Sequence, residues 1–284
     1  MRILRTTFLL TALTLFLVIV GQYIGGRGGM AIGLGIAVVS NAFAYFFSDK
    51  VALYSSGAQP VSREQLPRLY DVMERLAAKA NIPVPKLYVV PEAAPNAFAT
   101  GRNPRHASVA VTQGLLELMN DDELEGVIAH ELSHVRNYDI LISSVAATLA
   151  GAITFLAHMG FWFGSGGRDD RDREGGGILT LLLIFLAPLG ATLLQLGLSR
   201  QREYSADETG AHMVGHPYGL ISALQKLGAY NNRIPTTQIS PTTSALCIVK
   251  PLFGGGTFSS LFSTHPPLED RIATLRELAA TRQP

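Results

Sequence analysis

His130-Glu131-Leu132-Ser133-His134 places two imidazoles four residues apart, with a carboxylate beside the first. On an α-helix, residues i and i+4 leave one face about one turn apart, so both rings can bind a single ion, and zinc suits such donors. Glu131 then lies within reach of a water at an open coordination position. Zinc brings the pKa of that water toward about 7, and a neighbouring carboxylate can take its proton as it attacks a peptide carbonyl. Three fixed positions make a short pattern, so its setting decides what it is worth.

The setting is a helix. Asn120, Asp121 or Asp122 can cap it, and Leu124, Val127, Ile128, Leu132 and Val135 keep helical spacing up to Asn137. A hydrolytic zinc site keeps three protein ligands, and Arg202-Glu203-Tyr204-Ser205-Ala206-Asp207 offers the third. Glu203 and Asp207 share a helical face, so one carboxylate can complete the metal shell while the other holds an imidazole by its second nitrogen. His265, in Thr264-His265-Pro266-Pro267, is a candidate donor to a developing oxyanion. Asp139, five residues after His134, falls off the ligand face of an ideal helix and receives no catalytic task.

Charged residues are only 16% of 284, against about 25% in a soluble domain. The deficit is concentrated in four stretches, Thr6–Ile24, Met30–Phe47, about 140–164 and 178–198, each near the ~20 residues that cross a hydrocarbon core. They pair into two hairpins. A cleaved leader is disfavoured for the first, whose apolar core is long and lacks a small-x-small cleavage site. The two short turns carry Arg27, Arg168, Arg171 and Arg173 out of 23 Lys and Arg, so the polar regions are expected to face the cytoplasm. A hairpin spanning 140–198 would bring the two candidate metal helices together at the membrane surface.

The polar segments read as α+β. Ser62 and Gln65 suggest a capping box before a helix bearing Leu66, Leu69, Met73 and Leu76, stopped by Pro83 and Pro85. Lys86–Val90, Asn96–Thr100 and Ala107–Thr112 read as strands, and Asn96–Thr100 is a candidate edge for an extended peptide. Arg200–Val214, Leu220–Tyr230 and Leu268–Ala280 read as helices. The expected division is a transmembrane hairpin 1–49, a first catalytic part 50–139, a second transmembrane hairpin 140–198 and a second catalytic part 199–284. A net charge of +1 gives no sign of nucleic-acid binding, and the single Cys247 cannot form an internal disulfide.

HELSHVRNYD, SRQREYSAD and STHPPLEDRI, with the span positions, resemble the HtpX-type membrane zinc proteases of bacteria, relatives of the CAAX prenyl proteases. The resemblance implies a mainly α membrane protein with four transmembrane helices and a cytoplasmic α+β zincin-like catalytic domain. It implies one zinc per chain on His130, His134 and Glu203, with Glu131 as general base. It implies a multi-pass enzyme of the cell inner membrane that cleaves misfolded membrane proteins and unfolded polypeptides under stress. A prenyl-peptide protease ranks lower, since four spans leave little volume for a lipid tail. A scaffold with structural zinc ranks lower too, because such zinc is usually closed by four Cys and His ligands.

Overall fold

A computed structural model describes residues 2–146, 200–231 and 266–281. The expected spans at 140–164 and 178–198 lie outside these residues except for the helical start 139–146.

Helix α1 (Arg2–Ser55) is broken at Gly25 and Gly26, and Gly26 takes φ 58, ψ −141, a region open essentially to glycine alone. The break folds the element into the expected hairpin. Its arms approach so closely that a Cβ on Gly21 would strike the Gly29 backbone, and Asn41 Nδ2 donates across to the Leu10 carbonyl (3.2 Å) and Thr14 Oγ1 (2.8 Å). Residues Gly25–Ser55 are long and apolar enough to cross a membrane, and large apolar side chains such as Ile32, Val38, Val39 and Phe46 face outward.

Beyond α1 come β1 (Gln59–Pro60), α2 (Pro67–Ala80), β2 (Lys86–Val90), β3 (Ala97–Gly101), β4 (Ala107–Thr112), α3 (Gln113–Leu118) and α4 (Asp121–Arg136). Three helices follow: α5 (Arg200–Val214), α6 (Tyr218–Asn231) and α7 (Leu268–Ala280). Gln65 does reach back to the Ser62 N–H, but the box closes a turn ahead of α2, because Pro67 keeps Leu66 out of helical geometry and takes the first helical position itself. Asn81, left-handed at φ 55, ends α2 before either expected proline does.

The sheet order is β1-β2-β4-β3, with β2 and β4 parallel and the outer pairs antiparallel. Both faces are covered. Leu87, Ala97, Ala99, Val109 and Val111 point into the main core with α2 and α4, whereas Val90, Phe98 and Ala110 pack against Ala52 and Leu53 of α1. Because the Thr112 N–H bonds to the Asn96 carbonyl, even-numbered residues of β3 pair with β4, and odd-numbered Ala97, Ala99 and Gly101 turn their backbone groups to the outer edge.

Helix α4 is the hub, with α2 and β3 on one side and α5 and α6 on the other. Asn120 and Glu123 form its capping box, and Glu123, 2% exposed, also accepts from Lys226 Nζ (2.7 Å) and Ser222 Oγ (2.6 Å) of α6. Burial disfavours the charged Glu123 carboxyl, but Lys226, Ser222 and the Asn120 N–H outweigh it and hold it below the usual range. A depressed folded value means the stabilisation is full above the unfolded pKa of about 4.3 and is lost as pH falls through the folded one. Glu123→Gln should therefore lower stability by roughly 1–3 kcal/mol at pH 7. The gap between its thermal midpoint and the wild type's should narrow below about pH 4. A constant gap from neutral to acid would mean that the charge is not what matters.

Candidate metal centre

His130 and His134 stand one turn apart on α4, their rings edge to face with centroids 4.8 Å apart. The two Nε2 atoms are 3.2 Å from each other, and each lies 3.6 Å from a different oxygen of the Glu203 carboxylate. One donor atom from each residue falls within 4.8 Å of the others, a spacing that one ion of about 2 Å bond length can bridge. Glu203 reaches this point because α5 lies backbone to backbone against α4: a Cβ on Gly210 would meet the His130 nitrogen at 3.0 Å. Glu203, Asp207 and Gly210 occupy one face, so the glycine that allows the approach and the carboxylates that use it travel together.

Both imidazoles are held from behind. His130 Nδ1 is 2.8 Å from Asp207 Oδ1, and His134 Nδ1 is 3.4 Å from Asp139 Oδ2. A carboxylate on Nδ1 fixes the ring and leaves Nε2 to face an ion, the usual support of a histidine ligand. Asp207 is as expected from the sequence. Asp139 is not, and the reason is local: α4 stops at Arg136 and Tyr138 turns left-handed at φ 60, which swings Asp139 off the ideal helical path and back toward His134.

A further charged residue lies within the STHPPLEDRI stretch but receives no role from the sequence. Arg271 of α7 is fully buried and grips Asp207 with two nitrogens at 2.8 and 2.6 Å, while its Nη1 lies 3.7 Å from Glu203. Burial opposes charge on Asp207, yet Arg271 and His130 outweigh it and keep the carboxylate below its usual range. For His130, burial likewise works against the cation, but hydrogen bonding to Asp207 and Glu203 prevails and holds the ring up to about 9. The same carboxylates that favour a proton on the ring favour a metal cation in its place, so binding a divalent ion competes with protons.

Glu131 lies 3% exposed beside the triad. Its removal from water raises the carboxyl above its usual range, while His130, His134 and the Ala99 N–H at the outer edge of β3 pull it back. His134 alone of the triad is partly open, with 16% of its side chain exposed, so solvent reaches the group from that side. His265 and Cys247 lie outside the described residues, and His106, His212 and His216 are exposed and away from the cluster.

The profile of peptidase family M48 matches residues 62–279. The chain belongs to peptidase family M48. Its relatives include a protease HtpX homolog of Desulfatibacillum aliphaticivorans, 54% identical over 274 residues that make up 95% of this chain and 88% of that one. Another, from Pyrococcus furiosus, is 51% identical over 276 residues, 97% of this chain and 95% of its own. Among solved structures, the crystal structure of S. mikatae Ste24p matches with a TM-score of 0.54 at 19% identity, over 96% of this chain and 65% of that one, a likeness of fold. The M48 chain is a membrane-associated metalloprotease.

Membership of M48 implies a metal, typically zinc, and the residues present fit one. Two imidazole nitrogens and a carboxylate oxygen converge from two helices, each ring is backed by its own carboxylate, and the donor types suit zinc.

Proposed function

We propose that this M48 protease is a zinc-dependent endopeptidase of the cell inner membrane, cutting misfolded or damaged membrane proteins and unfolded polypeptides on the cytoplasmic side. In this reading His130, His134 and Glu203 hold about one zinc per chain and Glu131 is the general base. The observation that carries it is the convergence of three donors with a buried carboxyl beside them.

When bound, zinc supplies Lewis acidity to the scissile carbonyl and to the attacking water. The remaining tasks fall to the chain. Asp207 and Asp139 orient the two imidazoles through Nδ1, and Arg271 neutralises Asp207 behind His130. A Glu131 oxygen accepts the water proton, and the same oxygen can pass it to the departing amine nitrogen. Burial suits this exchange, since a carboxyl raised toward neutrality takes up and gives back a proton more evenly. An extended peptide running along the outer edge of β3, beside Ala99, would present its carbonyl next to Glu131.

Four spans in two hairpins, with 50–139 and 199–284 forming one cytoplasmic catalytic domain, accord with the Lys and Arg distribution. A site fed at the bilayer surface meets chains leaving the membrane, which favours membrane proteins as substrates. The test is metal content beside casein-peptide hydrolysis in detergent. The expected result is about one zinc per chain, cleavage lost to a chelator and restored by zinc, and zinc lost from Glu203→Ala. A Glu203→Ala chain that keeps wild-type zinc, or a zinc-loaded wild type that cuts nothing, would overturn the reading.

A further inference from the structure

The charge-free apolar run of α1 ends at Phe46 and Phe47, 51% and 43% exposed, and after Ser48 come Asp49 and Lys50, with exposed Tyr54 beyond them. The first charges after a long apolar run mark where a span leaves the hydrocarbon for the headgroups. Two cations sit on those rings: Lys50 Nζ lies 5.1 Å from the Phe47 centroid, and the Arg102 guanidinium lies 5.7 Å from that of Phe46. Arg102 is the residue immediately after β3. The end of that strand is thus tied to the lipid boundary.

From this point β3 climbs away from the apolar zone beside α1. Phe98 shares a cluster with Ala52 and Leu53. The helix rises about 9 Å from Phe46 to Ala52 while the strand runs about 13 Å from Arg102 to Phe98, so the strand gains about two-thirds of its length along the helix. Ala99, whose N–H acts on the Glu131 carboxyl, is three residues from Arg102, about 10 Å along the strand and about 7 Å along the helix. A second path gives a like height. Val145 packs with Leu13 and Ala44 of the hairpin, about 3 Å short of Phe46, and the helical segment 139–146 rises about 9 Å from Val145 to Asp139, which meets His134, so Asp139 stands about 6 Å beyond Phe46.

We propose that β3 is a ruler holding the chemistry about 7 Å above the lipid boundary, so that a membrane-anchored substrate is cut only where about two or more extended residues separate the scissile bond from its own span. The substrate class is an extended juxtamembrane segment of another membrane protein. Whatever path that segment takes, it must cover this height. The Gly101 end of the strand is closed by Ser144, whose hydroxyl meets Thr100 Oγ1 at 2.8 Å and the Gly101 N–H at 3.5 Å, so the segment joins the edge at Ala99. The ruler rests on the peptidase reading of the site.

The experiment reconstitutes the full chain in liposomes with substrates made of one apolar helix, a Gly-Ser linker of roughly zero to ten residues and a casein peptide, the same peptide also being offered free. The expected result is cleavage of the free peptide and, for the anchored series, a rise of about tenfold or more as the linker grows from about one to about three residues, with little change beyond. Free peptide cut but an anchored series that is flat from zero, or that begins only past about eight residues, overturns the ruler while leaving the peptidase reading in place. Free peptide left intact by the zinc-loaded chain overturns the peptidase reading, and the ruler with it.

Discussion

Replacing Glu131 by Gln should lower kcat for peptide hydrolysis by about 10²–10⁴-fold while bound zinc stays at about one per chain. Glutamine keeps the shape and the buried packing of the side chain but cannot take a proton from water. Glu131 is not among the three converging donors, so the ion should stay, and the hub position of α4 should be undisturbed by an isosteric change. KM should move little, because what is lost acts only as the reaction proceeds. Hydrolysis above a tenth of the wild-type rate would remove Glu131 from the base role, and loss of zinc would make it a ligand instead.

Arg271→Met should destabilise the protein by roughly 3–5 kcal/mol, since it leaves the Asp207 and Glu203 carboxylates buried without their cation. It should also weaken zinc binding by about 10–100-fold, the usual effect of loosening a carboxylate behind a histidine ligand. Packing and charge can be separated. Adding Asp207→Asn to Arg271→Met removes one stranded charge, so thermal stability should recover in part while zinc affinity stays low. Arg271→Lys keeps charge but loses the two-pronged grip, so it should fall between. If Arg271→Met matched the wild type in both melting temperature and zinc affinity by competition with a chelator, the residue would have no part in the site.

The contrast between Arg271 and Glu203 shows what a sequence can disclose. His130, Glu131 and His134 announce themselves within one turn, and Glu203 with Asp207 repeats that spacing, so their convergence needed only α4 and α5 to meet. Arg271 sits 64 residues from its partner Asp207 on a helix whose start and end were legible, Leu268–Ala280, but whose buried face was not. An arginine in an amphipathic run reads as solvated until its partner is in view. Asp139 was hidden by the assumption of an unbroken helix, which the left-handed Tyr138 breaks. The strands were legible to within a residue because β-branched and small residues cluster between Pro and Gly, whereas β1, two residues long, carries no periodicity at all. Turns such as Gly25-Gly26 were legible because little but glycine tolerates the backbone there.

Helix α1 leaves the apolar zone at Phe47 and continues unbroken to Ser55, where Ala52 and Leu53 are already part of the packing beneath the sheet. The membrane span and the catalytic half are thus one lever without a joint. A span tilts typically by about 20° and adjusts that tilt to bilayer thickness; in the proposed orientation such a change would swing β3 and the metal helices with it. In the proposed membrane orientation, acyl-chain length would then set how near the scissile centre stands to the lipid.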